Sequence, residues 1–163
     1  ASIGQRVEKL QNEAVSLSDD IRVIAHELHP SRMELGGFEN TLRAFCGEFS
    51  LQNRLDIDLR VEVKRALPAH IAVCCYRIVQ ESLHNIAKHA RARKVHVRAQ
   101  LVTELIVLLV ADDGVGVEEH KLKTSGGMGI ASMEERIQFL SGKFHIGKRK
   151  TGGTLIAVEV PIL

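Results

Sequence analysis

The sequence has few aromatic residues, little net charge and no long apolar run. Its 163 residues include no tryptophan, one tyrosine and five phenylalanines, and the formal net charge is +2. So small a charge with so few stacking side chains gives no argument for nucleic-acid binding, and no direct nucleic-acid partner is expected. No apolar run reaches the roughly 18 residues of a membrane-spanning helix, and no signal peptide opens the chain. We therefore expect a cytoplasmic chain without a membrane segment.

The cysteines are too few and wrongly spaced for a disulfide framework or a zinc site. There are three, Cys46 and the neighbours Cys74 and Cys75. We expect them to be reduced and buried thiols, as in cytoplasmic proteins. Hydrophobic residues make up 45% and charged residues 26% of the chain, which is typical of a soluble domain. The length suits one compact domain with a short accessory element.

Apolar residues in the first 30 positions are separated by alternating steps of four and three. They are Ile3, Val7, Leu10, Ala14, Leu17, Ile21, Ile24 and Leu28. This heptad seam predicts a long helix over residues 1–30 that must pair with another helix. Pro30 ends it, because proline lacks an amide proton and disfavours the helical conformation of His29. Residues 31–37, which include Gly36 and Gly37, are predicted to form a hinge.

The remaining residues, 38–163, switch between helical and strand periodicity and form the predicted main domain. The predicted elements are a short helix from Phe38, a strand from Leu55, a helix from Pro68 to about His89, two strands joined near Thr103, a helix from Ile130 to Leu140 that Gly142 stops, and a closing hairpin about Gly152 and Gly153. These elements predict an α+β fold. It would be a two-layer α/β sandwich, with a mixed sheet of about five strands, helices on one face, and the heptad-patterned helix before it.

The helix that follows Pro68 carries a polar stripe opposite its apolar face. Glu81, Asn85, Lys88 and His89 stand at i, i+4, i+7 and i+8. A solvated helix surface is one interpretation of this spacing. The alternative is a site for Mg²⁺ and phosphate, because a carboxylate, an amide oxygen and a cation together can hold both.

The segment "VADDGVGV" ends a continuous apolar strand with a carboxylate and two glycines. Asp112 comes at the strand end, and Gly114 and Gly116 follow. This can be an ordinary Asp-Gly turn. It can also be a place where the backbone approaches a flat ligand closely, with the carboxylate accepting a hydrogen bond from an exocyclic amine.

A glycine-rich loop precedes the predicted helix at Ile130. Gly126, Gly127 and Gly129 lead into that helix, whose free amides can bind an anion. The loop is not a phosphate-binding P-loop, because no Gly-Lys-Ser/Thr closes it. The glycine order and the strand context also differ from the dinucleotide fingerprint.

Taken in order, these segments and the final Gly-Thr hairpin resemble the ATP-binding domain of sensor histidine kinases, which share a superfamily with DNA gyrase and mismatch-repair ATPases. "YRIVQESLHNIAKHARARKVHV" is similar to the N box of the nitrate-sensor type. Partners of that type are usually response regulators with a helix-turn-helix output. The resemblance covers Leu17 to Pro161. It implies ATP and Mg²⁺ as cofactors and transfer of the ATP γ-phosphate to a histidine.

The resemblance also implies a role for each residue of the three segments. Asn85 would be the Mg²⁺ ligand, Glu81 an acidic residue near the metal and a base, and Asp112 the partner of the adenine amino group. The other implied ATP contacts are Lys88 and His89 at the phosphates or ribose, Gly114 and Gly116 at the adenine-side turn, Gly127 and Gly129 at the phosphate-side turn, and Thr154 beside adenine. The residues between Gly116 and Gly126 would form a short lid.

The segment "IAHELHP" places His26 and His29 just before the predicted helix end. We interpret them first as part of that end, second as phosphate acceptors and last as metal ligands, because two histidines supply too few ligands. By resemblance, residues 1–30 are the second helix of a dimerisation and histidine-phosphotransfer hairpin. The chain would then lack its own acceptor histidine and would form a homodimer through the heptad helix.

Other functions stay open at this point. A serine kinase of the anti-sigma type shares the ATP-binding fold, although the heptad helix argues against it. A nucleotide-binding scaffold would bind ATP tightly without transferring phosphate. A DNA-handling ATPase is disfavoured, because no transducer domain follows Pro161. The complete protein could also be a membrane-bound sensor with this chain on its cytoplasmic side.

Overall fold

The computed structural model of the chain describes Val7, Gln11 and residues 37–117 and 128–162. Val7 and Gln11 are helical, and Val7, a predicted seam residue, is 47% exposed. Within these residues, every helix is too short or too polar to cross a membrane.

Several predictions from the sequence lie outside the described residues. They are most of the heptad helix, the hinge before Gly37, both histidines of the "IAHELHP" segment, most of the lid, and Gly126 and Gly127. Gly37, assigned above to the hinge, is the first residue of a helix.

Residues 37–117 and 128–162 form a five-stranded sheet and three α-helices, one of which continues into a π-helical turn. The elements are α1 (Gly37–Asn53), β1 (Asp56–Glu62), α2 (Ala69–Asn85), the π-helical turn (Ile86–Ala90), β2 (Lys94–Val102), β3 (Leu105–Asp112), α3 (Met128–Phe139), β4 (Lys143–Lys148) and β5 (Thr154–Pro161). The strand order is β1-β2-β3-β5-β4. Only β1 and β2 run parallel, and the other three pairs are antiparallel. The predicted mixed sheet is confirmed.

One face of the sheet is buried under the helices. Alternate residues of the central strands, such as Val97, Leu108 and Val158, are at most 1% exposed, while their neighbours in sequence remain partly exposed. Ile78 and Leu83 of α2 are completely buried in the same core. The period-two alternation of the strands therefore selects a single buried face, and the predicted two-layer sandwich is confirmed.

The three cysteines are free and buried in this core. Burial raises the pKa of the Cys46 thiol to about 12 and also raises the pKa values of Cys74 and Cys75. Because the thiolate is the reactive form, these residues act as small apolar side chains, and the prediction that they are buried is confirmed.

Helix α3 differs from its predicted bounds at both ends. It begins at Met128, before the predicted start at Ile130, and ends at Phe139. Gly142 was predicted to stop the helix, but the residue with left-handed backbone is Ser141, at φ 55°. Gly142 is needed for another reason: a Cβ there would lie 2.5 Å from the carbonyl oxygen of Glu159.

The other face of the sheet carries a charged cluster on β1 and β2. Arg98 donates to Asp58 Oδ2 at 2.6 Å, and Nδ1 of His96 lies 3.2 Å from the same oxygen. The hydrogen bonds from Arg98 and His96 lower the pKa of Asp58 from 3.8 to about 2. This carboxylate therefore joins the two parallel strands in its ionised form.

This cluster predicts a loss of stability in acid. The contribution of Asp58 should be complete above pH 3.8, the value of its unfolded state, and should disappear as the pH falls toward about 2. The difference in unfolding free energy between the wild type and Asp58→Asn should therefore shrink over this interval in urea titrations. Asp56→Asn, an exposed change on the same strand, is the control. A difference that stays constant with pH would contradict this role.

Candidate functional site

The C-terminal part of α2 brings two of the predicted site residues together. Glu81 and Asn85 lie one helical turn apart, both half-buried, and Asn85 Nδ2 donates to Glu81 Oε1 at 3.1 Å. The opposite side of the helix is fixed in the core by Leu83 and Ile86. Because the Nδ2 of Asn85 faces the carboxylate, the amide oxygen of Asn85 points away from it and is available to a ligand.

The helix does not end as an ordinary α-helix. After Asn85 it widens into the π-helical turn and ends at Arg91, whose left-handed backbone has φ 52°. Lys88 and His89 are exposed on this turn. Short π-helical turns inside helices are frequent at functional sites, and this one could not be predicted from local sequence patterns.

Helix α3 begins directly against Glu81. Gly129 is its second residue, and not part of the preceding loop as predicted. A Cβ on Gly129 would lie 1.9 Å from Glu81 Oε1, so any other residue there would displace the carboxylate from this position. Further along, Ser82 Oγ lies 3.8 Å from the Met133 sulfur and joins α2 to α3.

Asp112 forms the centre of a second cluster, at the end of β3. It is 1% exposed. Its Oδ1 accepts a hydrogen bond from the Gly114 amide at 2.7 Å, and its Oδ2 accepts one from the Thr154 amide at 3.1 Å. Each of these hydrogen bonds uses one acceptor position of a different oxygen, so Asp112 can still accept from a bound ligand. Its neighbour Asp113 is exposed instead.

Asp113 has a different role from Asp112. Its Oδ1 accepts hydrogen bonds from the amides of Lys94 and Arg93, at 2.9 and 2.8 Å, and these bonds lower the pKa of Asp113. Asp113 therefore fixes the start of β2 next to the end of β3. Of the two adjacent aspartates, Asp112 is the one that belongs to the candidate site.

The turn after Asp112 packs on the end of the π-helical turn. The amide of Val115 donates to the Ala90 carbonyl at 2.9 Å, and a Cβ on Gly114 would lie 2.1 Å from that carbonyl oxygen. Gly116 has φ +78°, and a Cβ there would lie 2.8 Å from the Gly153 carbonyl oxygen. Both predicted glycines are thus required by close backbone contacts.

One continuous stretch of helix connects the two clusters. Glu81 contacts the start of α3, and Ala90, nine residues later, contacts the turn after Asp112. At the rise of a helix this separation is about 13 Å. The candidate site is therefore elongated, with the Glu81 carboxylate and the Asn85 amide at one end and the buried Asp112 carboxylate at the other.

The structure adds two residues that the sequence interpretation missed. Arg149 Nη1 donates to the Asp112 carbonyl at 2.7 Å. A Cβ on Gly153 would lie 1.9 Å from the same carbonyl oxygen. The pair of glycines before Thr154 was an available signal for Gly153, but the contact of Arg149 spans 37 positions and had none.

The profile of the family described as "Histidine kinase-, DNA gyrase B-, and HSP90-like ATPase" matches residues 72–163, more than half of the chain. The chain belongs to this ATPase family. The match begins inside α2 and contains both clusters, so the resemblance that the motifs indicated is confirmed. Membership in this ATPase family also supports ATP as the nucleotide.

Two relatives within this ATPase family align with almost the whole chain. The signal transduction histidine-protein kinase/phosphatase DegS of Brevibacillus brevis is 26% identical over 97% of the chain. The oxygen sensor histidine kinase NreB of Staphylococcus carnosus is 28% identical over 97%. The chain covers 41% and 45% of these relatives, so it spans less than half their length.

Two solved structures share the fold of this chain. The histidine kinase domain of the Erythrobacter litoralis EL346 blue-light activated histidine kinase superposes with a TM-score of 0.70 at 19% identity, covering 96% of this chain and 82% of that one. The ATP binding domain of PrrB from Mycobacterium tuberculosis gives 0.55 at 20% identity, over 74% and 90%. At these identities the likeness supports the fold alone.

Proposed function

We propose that the chain is the ATP-binding catalytic domain of a sensor histidine kinase, which transfers the γ-phosphate of ATP to a histidine on a dimerisation helix. The observation that carries this proposal is the helical stretch from Glu81 to Ala90. It holds Glu81 and Asn85 at one end, and at the other end it contacts the turn that follows the buried Asp112. In a nucleoside triphosphate, the distance from the base to the γ-phosphate is similar to the distance between the two ends of this stretch.

The base end of ATP would bind at Asp112. Its carboxylate, held by the amides of Gly114 and Thr154, is an acceptor and therefore suits the 6-amino group of adenine. Gly114 and Gly116, held against the carbonyls of Ala90 and Gly153, would form the turn beside the adenine ring. Thr154 would support the ring from the start of β5.

The phosphates would bind at the other end, between α2 and the start of α3. Gly127 and Gly129 would leave the amides of this helix start accessible to the phosphate oxygens. Lys88 and His89, exposed on the π-helical turn, would neutralise charge at the phosphates or the ribose. Glu81 would act as the base that accepts a proton from the acceptor histidine.

The donors at this end suit Mg²⁺. Glu81 and Asn85 offer a carboxylate and an amide oxygen, which are hard ligands, and Mg²⁺ commonly takes one or two protein ligands with phosphates and water. Asn85 would hold the ion and Glu81 would lie next to it. When bound, Mg²⁺ neutralises the phosphate charge that develops during transfer. The protein's own contribution is to orient the γ-phosphate and to exclude water.

The partners follow from the same proposal. The complete protein would form a homodimer through the heptad helix and would pass its phosphate to a response regulator with a helix-turn-helix output. It would act in the cytoplasm, alone or as part of a membrane-bound sensor. The acceptor histidine would lie on a first hairpin helix upstream, and His26 and His29 would belong to the second.

Phosphate chemistry on the labelled products tests this proposal. The chain is incubated with Mg²⁺ and γ-labelled ATP, alone and with the dimerisation domain of the complete protein. We expect acid-labile, base-stable label on the added domain only. Acid-stable label would indicate the serine kinase, and tight ATP binding without any label would indicate the scaffold. Label on His26 or His29 would overturn the assignment of residues 1–30 as the second hairpin helix.

A further inference from the structure

The hairpin between β4 and β5 packs on the turn that follows Asp112. Residues 149–153 close the hairpin: the Arg149 amide donates to the Gly153 carbonyl at 2.9 Å, and the Gly152 amide donates to the Arg149 carbonyl at 3.2 Å. Gly152 and Gly153 both have left-handed backbone, with φ +93° and +80°. The conformation of this hairpin is therefore determined by its own backbone hydrogen bonds and by these two glycines.

The contact between hairpin and turn is made where the sheet pairing stops. The ladder of β3 and β5 ends at the pair Ala111 and Leu155, so β5 gives no paired partner to the carbonyl of Asp112. The Arg149 guanidinium replaces that partner at 2.7 Å, in a partly buried position. Arginine stays charged at all relevant pH values, so this is a charge-assisted hydrogen bond.

We propose that Arg149 is a positioning residue for base selection: by holding the peptide that follows Asp112, it keeps the carboxylate directed at the 6-amino group of adenine. The inference rests on the proposed function, because Asp112 must contact adenine. Asp112 receives its two side-chain hydrogen bonds from Gly114, on the turn, and Thr154, beside the hairpin. Arg149 binds the main-chain carbonyl of Asp112 and so holds this residue in position between the two donors.

A comparison of two nucleotides tests Arg149. Dissociation constants for ADP and for IDP, in which a 6-oxo group replaces the amine, are measured by calorimetry for the wild type, Arg149→Ala, Arg149→Lys and Lys150→Ala. For Arg149→Ala we expect about tenfold weaker ADP binding with IDP binding nearly unchanged. Arg149→Lys should recover part of the selectivity, because lysine can donate one hydrogen bond. Lys150→Ala removes an exposed charge from the same hairpin and should match the wild type.

The outcomes separate this inference from the proposed function. A wild type that does not bind ADP in preference to IDP would overturn the assignment of Asp112 and, with it, the role of Arg149. A selective wild type with unchanged selectivity in folded Arg149→Ala would overturn the role of Arg149 alone. Equal weakening of both nucleotides would also overturn it, because a loosened hairpin lowers binding without distinguishing the bases. If Arg149→Ala does not fold, Arg149→Lys decides: an ADP/IDP selectivity below that of the wild type supports the role of Arg149, and wild-type selectivity overturns it.

Discussion

Replacing Asn85 by alanine should reduce phosphoryl transfer to a supplied acceptor domain by at least about 100-fold, because misplacing a reacting group commonly costs that much. Asn85 is half-buried, and its side-chain hydrogen bond goes to Glu81 in the site. Its loss should therefore leave the fold intact while it removes the proposed Mg²⁺ ligand. The measurement is the initial rate of label transfer from γ-labelled ATP at several Mg²⁺ concentrations.

Two further variants test whether the loss of transfer comes from the missing metal ligand. Asn85→Asp keeps an oxygen at the ligand position and should retain more transfer than Asn85→Ala, especially at high Mg²⁺. Asn40→Ala makes the same substitution on the exposed side of α1 and should transfer at the wild-type rate. Wild-type transfer by Asn85→Ala at low Mg²⁺ would exclude Asn85 as the metal ligand.

The fold could be predicted because its elements have strong local signals. The strands alternate in hydrophobicity, and Pro68 sets the start of α2, where its carbonyl accepts from the amides of Ile71 and Ala72 at 2.9 and 3.0 Å. Each of these signals acts over a few residues. The structure confirms the mixed sheet, the burial of one face and the hairpin about its two glycines.

Contacts between distant residues could not be predicted in the same way. Glu81 touches Gly129 through a contact that only the packing of α2 on α3 creates. The π-helical turn has ordinary helix-forming residues, and the carbonyl of its last residue, Ala90, accepts a hydrogen bond from Val115 in a distant turn. The end of α3 was predicted from Gly142, but Ser141 adopts the left-handed backbone and Gly142 makes room for β5. In each case tertiary packing outweighs local preference.

The position of Asp112 could be predicted from the sequence, but its hydrogen-bond partners could not. The apolar strand before it placed it at the sheet end. Its hydrogen bonds to Gly114 and Thr154, and the hold of Arg149 on its carbonyl, come from two segments that the sequence separates by about 40 positions. Asp112 therefore contributes to the stability of the fold and to the proposed ligand site. The effect of a substitution on stability must be measured separately from its effect on binding.

Asp112→Asn should weaken ADP binding by at least about 100-fold, or about 3 kcal/mol, because an amide group would face a backbone amide or the adenine amine, donor against donor. The variant should also unfold at a lower temperature. Asp113→Asn changes the adjacent exposed carboxylate and should keep wild-type ADP affinity despite its own loss of stability.

Thermal unfolding with and without ADP separates the two effects of Asp112. A ligand at 100 times its dissociation constant stabilises the folded state by about 2.7 kcal/mol, and this increment depends on binding alone. We expect ADP to raise the unfolding temperature of the wild type and of Asp113→Asn. For Asp112→Asn the rise should be much smaller, because a site about 100-fold weaker gains at most about 0.4 kcal/mol at the same ADP concentration. If ADP stabilised Asp112→Asn as much as the wild type, Asp112 would be a structural residue of the sheet end, and adenine would have to be recognised elsewhere.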